Sequence, residues 1–257
     1  MFFDSHAHLT CDSVYNDLPG ILERATAVQV DRMVNICTDK VTLERGLTLA
    51  EKDRRVVNAG ATTPHDVEKE GGLYFSLFEL AAKQKKLVAV GETGLDYHYK
   101  HSPIVIQQAF LRRYLALALE CELPAIFHCR DAFSDLFSIT DTDYKIDNKH
   151  GRALMHCFTG TMSEAEQALN RGWMISFSGI ITFKRSVELR EVVKETPLVQ
   201  LLIETDTPYL APQKQRGKQN EPGFIRETAQ LVADVKGISL SEVAAATTRN
   251  AEKFFQC

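Results

Sequence analysis

The sequence predicts a closed (β/α)8 barrel, the TIM-barrel architecture, and three observations support this fold class. Short runs rich in β-branched and apolar residues alternate with amphipathic helical runs, as they do where parallel strands are joined by helical crossovers. Eight such strand runs occur in order along the chain. The length of 257 residues suits one barrel, so we expect residues 1–257 to form a single domain.

The predicted strands are spread along the whole chain, and helical patterns separate most of them. The strand runs are Phe2–Ser5, Arg32–Cys37, Val56–Gly60, Leu87–Gly91, Pro124–His128, Ala153–His156, Met174–Phe177 and Leu201–Glu204. Apolar residues three or four positions apart mark the inner faces of two helices. These faces are Leu18, Ile21, Leu22 and Ala25 in one, and Ile106, Phe110, Leu111, Tyr114, Leu115 and Ala118 in the other.

Two polar stretches are expected to be surface connections. The first is Thr140–Arg152, and the second is a longer loop, Pro212–Gly223, that carries several basic residues. No Gly-x-Gly-x-x-Gly sequence follows the first strand, which argues against an open sheet that binds a dinucleotide.

The composition is that of an ordinary globular protein, with 44% hydrophobic and 25% charged residues. A net charge of −4 argues against a purely electrostatic nucleic-acid coat protein, but not against a nuclease whose metal ions supply positive charge. The 6 cysteines form no Cys-x-x-Cys pair, which favours reduced thiols. No apolar run approaches the ~20 residues of a membrane span, and no signal-peptide pattern opens the chain. We therefore expect a cytoplasmic protein without a membrane partner.

The most informative residues are His6 and His8, which stand at the end of the first predicted strand. Residues two positions apart in a strand face the same way, so the two imidazoles project together. They are either a pair of surface histidines near a terminus or two ligands of one metal ion. Later strands distinguish these alternatives.

Four more strand ends carry single acidic or imidazole residues: Glu92, His128, His156 and Asp206. In a (β/α)8 barrel the functional site lies at the carboxyl ends of the strands, where these residues would converge with the first two histidines. Mixed imidazole and carboxylate ligands suit Zn²⁺, Mn²⁺, iron or cobalt, and Mg²⁺ less well. Six ligands are too many for one ion, so we expect two divalent ions bridged by Glu92.

Each of these residues also has an ordinary structural explanation. The histidines of strands five and six could be core residues, although alternation would direct Cys129 and Cys157 to the helices and the histidines to the barrel mouth. Asp206 could cap a turn before Pro208, and Glu92 could pair with an arginine. Convergence of all six positions favours the metal site.

Several motifs resemble one family, the TatD-related metal-dependent deoxyribonucleases of the amidohydrolase-like barrels. The resemblance spans essentially the whole chain and keeps the order of the motifs. The matching segments begin with Asp4-Ser5-His6-Ala7-His8-Leu9 and Gly91-Glu92-Thr93-Gly94-Leu95-Asp96-Tyr97. They continue with residues 124–132 around His128, His156-Cys157-Phe158-Thr159-Gly160, residues 202–210 around Asp206, Arg216–Pro222 and Thr248-Arg249-Asn250-Ala251.

The resemblance implies a function and a set of roles. The implied activity is hydrolysis of DNA phosphodiester bonds, often from the 3′ end, with two divalent ions such as Mg²⁺, Mn²⁺ or Zn²⁺. Asp206 would also orient or deprotonate the attacking water, and His65, Asp96 and Arg130 would contact substrate. Arg130 could alternatively form a structural ion pair. The expected partner is single-stranded DNA or a 3′ end, and the expected state is a monomer. The implied metal ligands are His6, His8, Glu92, His128, His156 and Asp206.

The chain departs from the family pattern at one position. Family members commonly carry Gly-x-His-Pro-His after the third strand, whereas this chain has Ala61-Thr62-Thr63-Pro64-His65. The second histidine is kept as His65, but Thr63 replaces the first, which in the family lies near the substrate phosphate. A hydroxyl donates a hydrogen bond but does not become cationic near neutral pH. Rate or substrate preference is therefore in question, and metal binding is not.

Two other functions fit the same residues. One is a different hydrolase, such as a lactonase, phosphotriesterase or amidohydrolase, because fold and ligands do not determine the substrate. The other is a non-catalytic nucleic-acid or protein partner with a vestigial site, which the full ligand set disfavours. The basic residues Lys214, Arg216 and Lys218 suit a phosphate-rich ligand or a solvated loop. With a negative chain, we expect only about one to three phosphate contacts.

Overall fold

The computed structural model describes residues 1–257. Eight parallel strands form one sheet in chain order, and the short strands β6 and β7 form a separate antiparallel hairpin. The strands are β1 (Phe2–Ala7), β2 (Val30–Cys37), β3 (Val56–Gly60), β4 (Ala89–Asp96), β5 (Ala125–Arg130), β6 (Lys145–Ile146), β7 (Lys149–His150), β8 (Ala153–Met155), β9 (Met174–Phe177) and β10 (Leu201–Ile203).

The first and last strands of the sheet meet, which closes the barrel. Ala7 forms a parallel bridge with Thr207. The His8 amide donates to the Thr207 carbonyl at 2.8 Å, and the Asp206 amide donates to the His6 carbonyl at 2.9 Å. The predicted (β/α)8 fold is therefore confirmed.

Helices lie between the strands and cover the outside of the barrel. Three of them begin with reciprocal capping hydrogen bonds, from Asp39, Thr161 and Ser239, each of which stabilises a helix end by about 1 kcal/mol. The helices are α1 (Asp12–Tyr15), α2 (Leu18–Ala27), α3 (Lys40–Lys52), α4 (Gly72–Lys83), α5 (Ile104–Glu120), α6 (Phe133–Asp143), α7 (Met162–Asn170), α8 (Val187–Glu195), α9 (Ile225–Lys236) and α10 (Leu240–Phe255).

The apolar residues form two cores. The larger core of 54 buried residues lies between the strands and the helices and contains Leu18, Leu111 and Leu115 from the two predicted helix faces. The smaller core of 12 residues fills the barrel, and α10 closes its base, where the rings of Phe255 and Phe3 stack at 5.9 Å. The packed base leaves the opposite end of the barrel, where the parallel strands end, for the functional site.

Six of the eight predicted strands differ from the structure in at least one boundary, by one or two residues except at the end of the fourth strand. The fourth strand continues beyond Gly91 to Asp96, so Glu92 lies within the strand and not after it. The stretch Thr140–Arg152 includes the last turn of α6 and the β6–β7 hairpin. The loop Pro212–Gly223 contains short 3₁₀ turns at Gln213–Gln215 and Pro222–Phe224. No helix combines the length and the apolar character needed to cross a bilayer.

Candidate active site

Four of the six predicted metal ligands meet at the barrel mouth. His6 Nε2 lies 3.3 Å from His8 Nε2. These two nitrogens lie 3.5 and 3.6 Å from Glu92 Oε2, and 3.7 and 3.6 Å from Asp206 Oδ1. His6 is fully buried, whereas the side chain of Asp206 is 11% exposed. The four side chains therefore surround one small volume that is open towards solvent beside His8 and Asp206.

The second carboxylate oxygen of Glu92 faces the other two predicted ligands. Glu92 Oε1 lies 3.0 Å from His128 Nδ1 and 2.9 Å from His156 Nε2. The rings of His6 and His156 stack with their centroids 3.8 Å apart. One carboxylate thus stands between two pairs of imidazoles, and the structure brings all six predicted ligands together.

Irregular pairing of β1 and β4 with their neighbouring strands directs His6 and Glu92 towards the barrel mouth. Phe3 and Ala89 belong to the core inside the barrel, and strict alternation would place His6 and Glu92 on the opposite face of their strands. The β1–β2 pairing shifts register between Asp4 and Ala7, and the β4–β5 pairing shifts between Val90 and Thr93. Such irregularities redirect side chains, so they account for the inward aim of both residues.

Close contact between β4 and β5 requires glycine. Gly94 has φ +145°, and a Cβ atom there would lie 1.9 Å from the His128 carbonyl oxygen. Any other residue would separate the two strands. The glycine therefore holds Glu92 and His128, which these strands carry, within reach of each other.

The donor set suits divalent metal ions. Groups of three ligand atoms from different side chains lie within 4.8 Å of one another, including His6–His8–Glu92, His6–His156–Asp206 and Glu92–His128–His156. Neutral imidazole nitrogens and carboxylate oxygens are the ligands of catalytic zinc and of related transition metals. His6 Nε2 and His8 Nε2 lie only 3.3 Å apart. When neither nitrogen carries a hydrogen atom, both present lone pairs to the same space, and a bound cation would accept them.

Burial and neighbouring charges shift the pKa values of these groups in different directions. Burial lowers the pKa of His6 to about 4. Burial alone would raise the pKa of Glu92, but the imidazoles of His156, His128 and His6 hold it well below its usual range. Burial opposes protonation of His128 and His156, yet their carboxylate partners raise both pKa values. Protons and metal ions therefore compete for the same imidazoles.

Asp96 does not line the cavity, which differs from its predicted contact with substrate. It is fully buried, and its Oδ2 lies 2.9 Å from His128 Nε2 and 3.7 Å from His65 Nε2. Burial would raise the pKa of Asp96, but the hydrogen bond with His128 outweighs it and lowers the pKa to about 2. The extension of β4 to Asp96 places this carboxylate behind the histidine, where it fixes the ring.

Sequence reasoning missed two buried carboxylates next to the site. Glu204 is fully buried, its Oε1 lies 3.3 Å from His156 Nδ1, and its Oε2 accepts a hydrogen bond from Ser176. Asp4 accepts hydrogen bonds from the amide and hydroxyl of Thr205, while burial raises its pKa to about 7. Glu204 stands two positions before Asp206, and that spacing was the available signal.

A cavity of about 570 Å³ opens above the ligands. Its wall includes Thr63, His65 and Arg130, together with Tyr99 and Tyr209. Arg130 makes no ion pair, and its guanidinium lies 4.9 Å from the ring centroid of Tyr99, so the alternative of a structural ion pair is wrong. The hydroxyl of Thr63 donates to Asp66 at 3.0 Å. The position that departs from the family pattern therefore lies in the cavity wall.

Cys157 differs from its predicted direction. Cys129 packs in the core between strands and helices, as expected. Cys157 instead has φ +43° and lines the cavity, with its Sγ 3.1 Å from Ser178 Oγ. Burial and the nearby carboxylates of Asp206 and Glu204 raise the pKa of this thiol well above its usual range. It is therefore a protonated thiol and not an activated nucleophile.

A model of the "TatD related DNase" family matches residues 3–256. The chain belongs to this family. A relative from Bacillus subtilis, "Uncharacterized metal-dependent hydrolase YabD", is 37% identical over 100% of this chain and 99% of its own length. A "3'-5' ssDNA/RNA exonuclease TatD" from Citrobacter rodentium is 31% identical over 98% of this chain and 97% of its own length.

Solved structures of TatD homologues have the same fold. The crystal structure of "YJJV, TATD Homolog" from Escherichia coli k12 superposes with a TM-score of 0.92, covers 100% of this chain and 98% of its own, and is 27% identical in sequence. The chain is thus a metal-dependent hydrolase of the TatD family, with clusters of histidine and acidic side chains that can hold metal.

Proposed function

We propose that this protein is a deoxyribonuclease that removes nucleotides from the 3′ ends of single-stranded DNA with the help of two divalent metal ions. The observation that carries the proposal is the position of Glu92, whose two oxygens face two separate pairs of imidazoles. A shared carboxylate between two ligand sets suits a pair of ions acting on one phosphate. The name of the Citrobacter relative, a 3'-5' ssDNA/RNA exonuclease, supports the choice of nucleic acid as the substrate.

Each ligand has an assigned place in the proposed centre. His6 and His8 would hold one ion and His128 and His156 would hold the other, with Glu92 shared between the two pairs and Asp206 beside the first pair. Asp96 and Glu204 accept the remaining ring hydrogens of His128 and His156, which leaves the opposite nitrogens of these rings free for metal. The imidazole-rich set favours Zn²⁺ or Mn²⁺ over Mg²⁺.

The reaction is hydrolysis by water. Divalent ions bound here supply Lewis acidity that lowers the pKa of water and offsets phosphate charge. Asp206, at the exposed side of the ligand cluster, accepts the proton of the attacking water. The new bond forms between the water oxygen and phosphorus, the bond from phosphorus to the neighbouring 3′ oxygen breaks, and the released 3′ oxygen takes up a proton from solvent. Arg130 and His65 in the cavity wall donate to the phosphate oxygens as charge grows on them.

The rest of the molecule fits this assignment. All six ligands come from one chain, so we propose an active monomer in which residues 1–257 act as one domain. All six cysteines are free thiols, which suits a reducing compartment such as the cytoplasm.

The substitution D206N tests the proposal. It keeps the side-chain shape but removes the charge and the basicity, so we expect turnover on a labelled single-stranded oligonucleotide to fall about 10²–10⁴-fold. D147N is the matched control, because Asp147 is exposed on the β6–β7 hairpin and shares the left-handed backbone of Asp206. Melting temperatures of both variants report on the fold.

The same assay separates the alternative hydrolases. Metal-stripped protein is reloaded with Zn²⁺, Mn²⁺ or Mg²⁺ and offered single-stranded DNA, a lactone and a phosphotriester. We expect nucleotide release from DNA to be the fastest reaction and to require metal. Faster turnover of the lactone or the phosphotriester, or unchanged turnover in D206N, would overturn the proposed nuclease.

A further inference from the structure

Two loops at the barrel mouth carry exposed cations that the catalytic proposal does not use. One loop follows β9 and contains Lys184 and Arg185, and the other follows β10 and contains Lys214, Arg216 and Lys218. All five side chains are exposed, and none of them forms an ion pair with a carboxylate. We call these five residues the cationic rim.

The two loops form one surface because they pack closely together. A Cβ atom on Gly179 would lie only 2.4 Å from the Leu210 carbonyl oxygen, so glycine permits this approach. The Gln213 amide donates to the Thr182 hydroxyl at 2.7 Å. The guanidinium carbon of Arg216 lies 4.8 Å from the ring centroid of Phe183, which fixes one rim cation against the other loop.

The cationic rim borders the catalytic cavity. Ile180 from the first loop and Leu210 from the second both line that cavity. Acidic residues near these loops are Glu188, at the start of α8, Glu227, which accepts a hydrogen bond from Gln215 at 2.7 Å, and Glu221, whose carboxylate is bound to Arg24 at 2.8 Å. The rim thus holds a local excess of positive charge in a chain whose net charge is −4.

We propose that the cationic rim binds the phosphates of the single strand that leads into the active site, upstream of the nucleotide being removed. The proposal rests on the nuclease function proposed above. Lysine and arginine side chains bind phosphates without reading sequence, and each neutralised phosphate of a single strand adds about 0.7 to the log–log salt slope. Five cations therefore predict a steeper salt dependence than the one to three contacts expected from net charge.

The experiment measures binding separately from cleavage. Fluorescence anisotropy with a labelled 12-nucleotide oligothymidylate, in EDTA, compares the wild type with K184Q/R185Q/K214Q/K218Q. Arg216 is kept because it packs on Phe183. The matched control is K85Q/K86Q/K145Q/K149Q, which removes four exposed, unpaired lysines that precede β4 or lie in the β6–β7 hairpin, at the other end of the barrel.

We expect the rim variant to bind the oligonucleotide about tenfold or more weakly, with a log–log salt slope lower by about two to three. The control should keep wild-type affinity. With metal added, the KM for the 12-mer should rise relative to the KM for a dinucleotide in the rim variant alone.

Equal affinity and slope in the rim and control variants would overturn the rim proposal. The outcome is distinguishable from failure of the nuclease proposal, because wild-type cleavage of DNA is measured on its own. If the wild type cleaves DNA but the rim variant binds it as tightly as the control, only the rim proposal is refuted. If the rim variant binds DNA more weakly but the wild type does not cleave it, only the nuclease proposal is refuted.

Discussion

At the scale of single residues, the site depends on what stands behind its ligands. His156 would use Nε2 for metal because its Nδ1 faces the buried carboxylate of Glu204. In His128 the two ring nitrogens exchange these roles, because Nδ1 faces Glu92 and Nε2 faces the buried carboxylate of Asp96. A carboxylate behind each ring fixes its orientation and increases its basicity as a ligand.

The substitution E204Q tests this support. Glutamine keeps the shape and a hydrogen bond but loses the charge, so we expect metal affinity to fall about 10–100-fold. Competition with a chromophoric chelator measures it, and E252Q on the exposed side of α10 is the control. Affinity within twofold of the wild type would mean that Glu204 only fills space beside Ser176.

Thr63 is the second residue that invites a test. It lines the cavity at the position where the family commonly has histidine, and its hydroxyl is engaged by Asp66. T63H introduces an imidazole that can form a charge-assisted hydrogen bond to phosphate, so we expect about a tenfold gain in rate. Single-turnover rates on either side of the histidine pKa measure it. No gain at either pH would show that the departure has no catalytic meaning.

At the scale of elements, α10 acts as the base of the barrel. Phe254 and Phe255 belong to the core inside the strands, and Phe255 stacks on Phe3 of β1. We expect F255A to lower the free energy of unfolding by about 3–5 kcal/mol, because it leaves a cavity in a packed core. Chemical denaturation measures it. V105A, at a 72% exposed position of α5, should change stability by less than about 0.5 kcal/mol, and an equal loss in both would contradict this role.

The strands show how far the sequence predicts the site. Motif order and strand-end positions were sufficient for the barrel and for the convergence of all six ligands. They did not reveal the register shifts beside His6 and Glu92, which depend on pairing with neighbouring strands. The contact of Glu204 with His156 and the burial of Asp96 behind His128 depend on the same strand pairing, so the sequence did not reveal them either. The cationic rim was hidden because its two loops are far apart in the sequence and come together only in the folded chain, through contacts at Gly179, Thr182 and Phe183.

At the scale of the whole molecule, protons and metal ions should stabilise the protein in different pH ranges, because they compete for the same imidazoles. Carboxylate partners raise the pKa values of His128 and His156, so these ion pairs stabilise the metal-free protein at low pH and are lost as pH rises through the raised values. Metal requires the neutral rings, so its affinity increases over the same pH range. We therefore expect the rise in melting temperature on adding Zn²⁺ to be larger at pH 8 than at pH 6.

Thermal unfolding at fixed free metal concentration measures that difference. A ligand at 100 times its Kd stabilises by about 2.7 kcal/mol, which is readily detected. Calorimetry in buffers of different ionisation enthalpy should show proton release on binding. An equal temperature shift at both pH values, without proton release, would contradict the competition.

The contact between β1 and the segment after β10 has a consequence for folding during translation. The ligands at this contact are His6 and Asp206, and the hydrogen bond from the Asp206 amide to the His6 carbonyl closes the barrel beside them. A ribosome makes the first histidine early and the aspartate only after most of the chain has been translated. The set of metal ligands is therefore complete only late in synthesis, after the segment that carries Asp206 has joined β1.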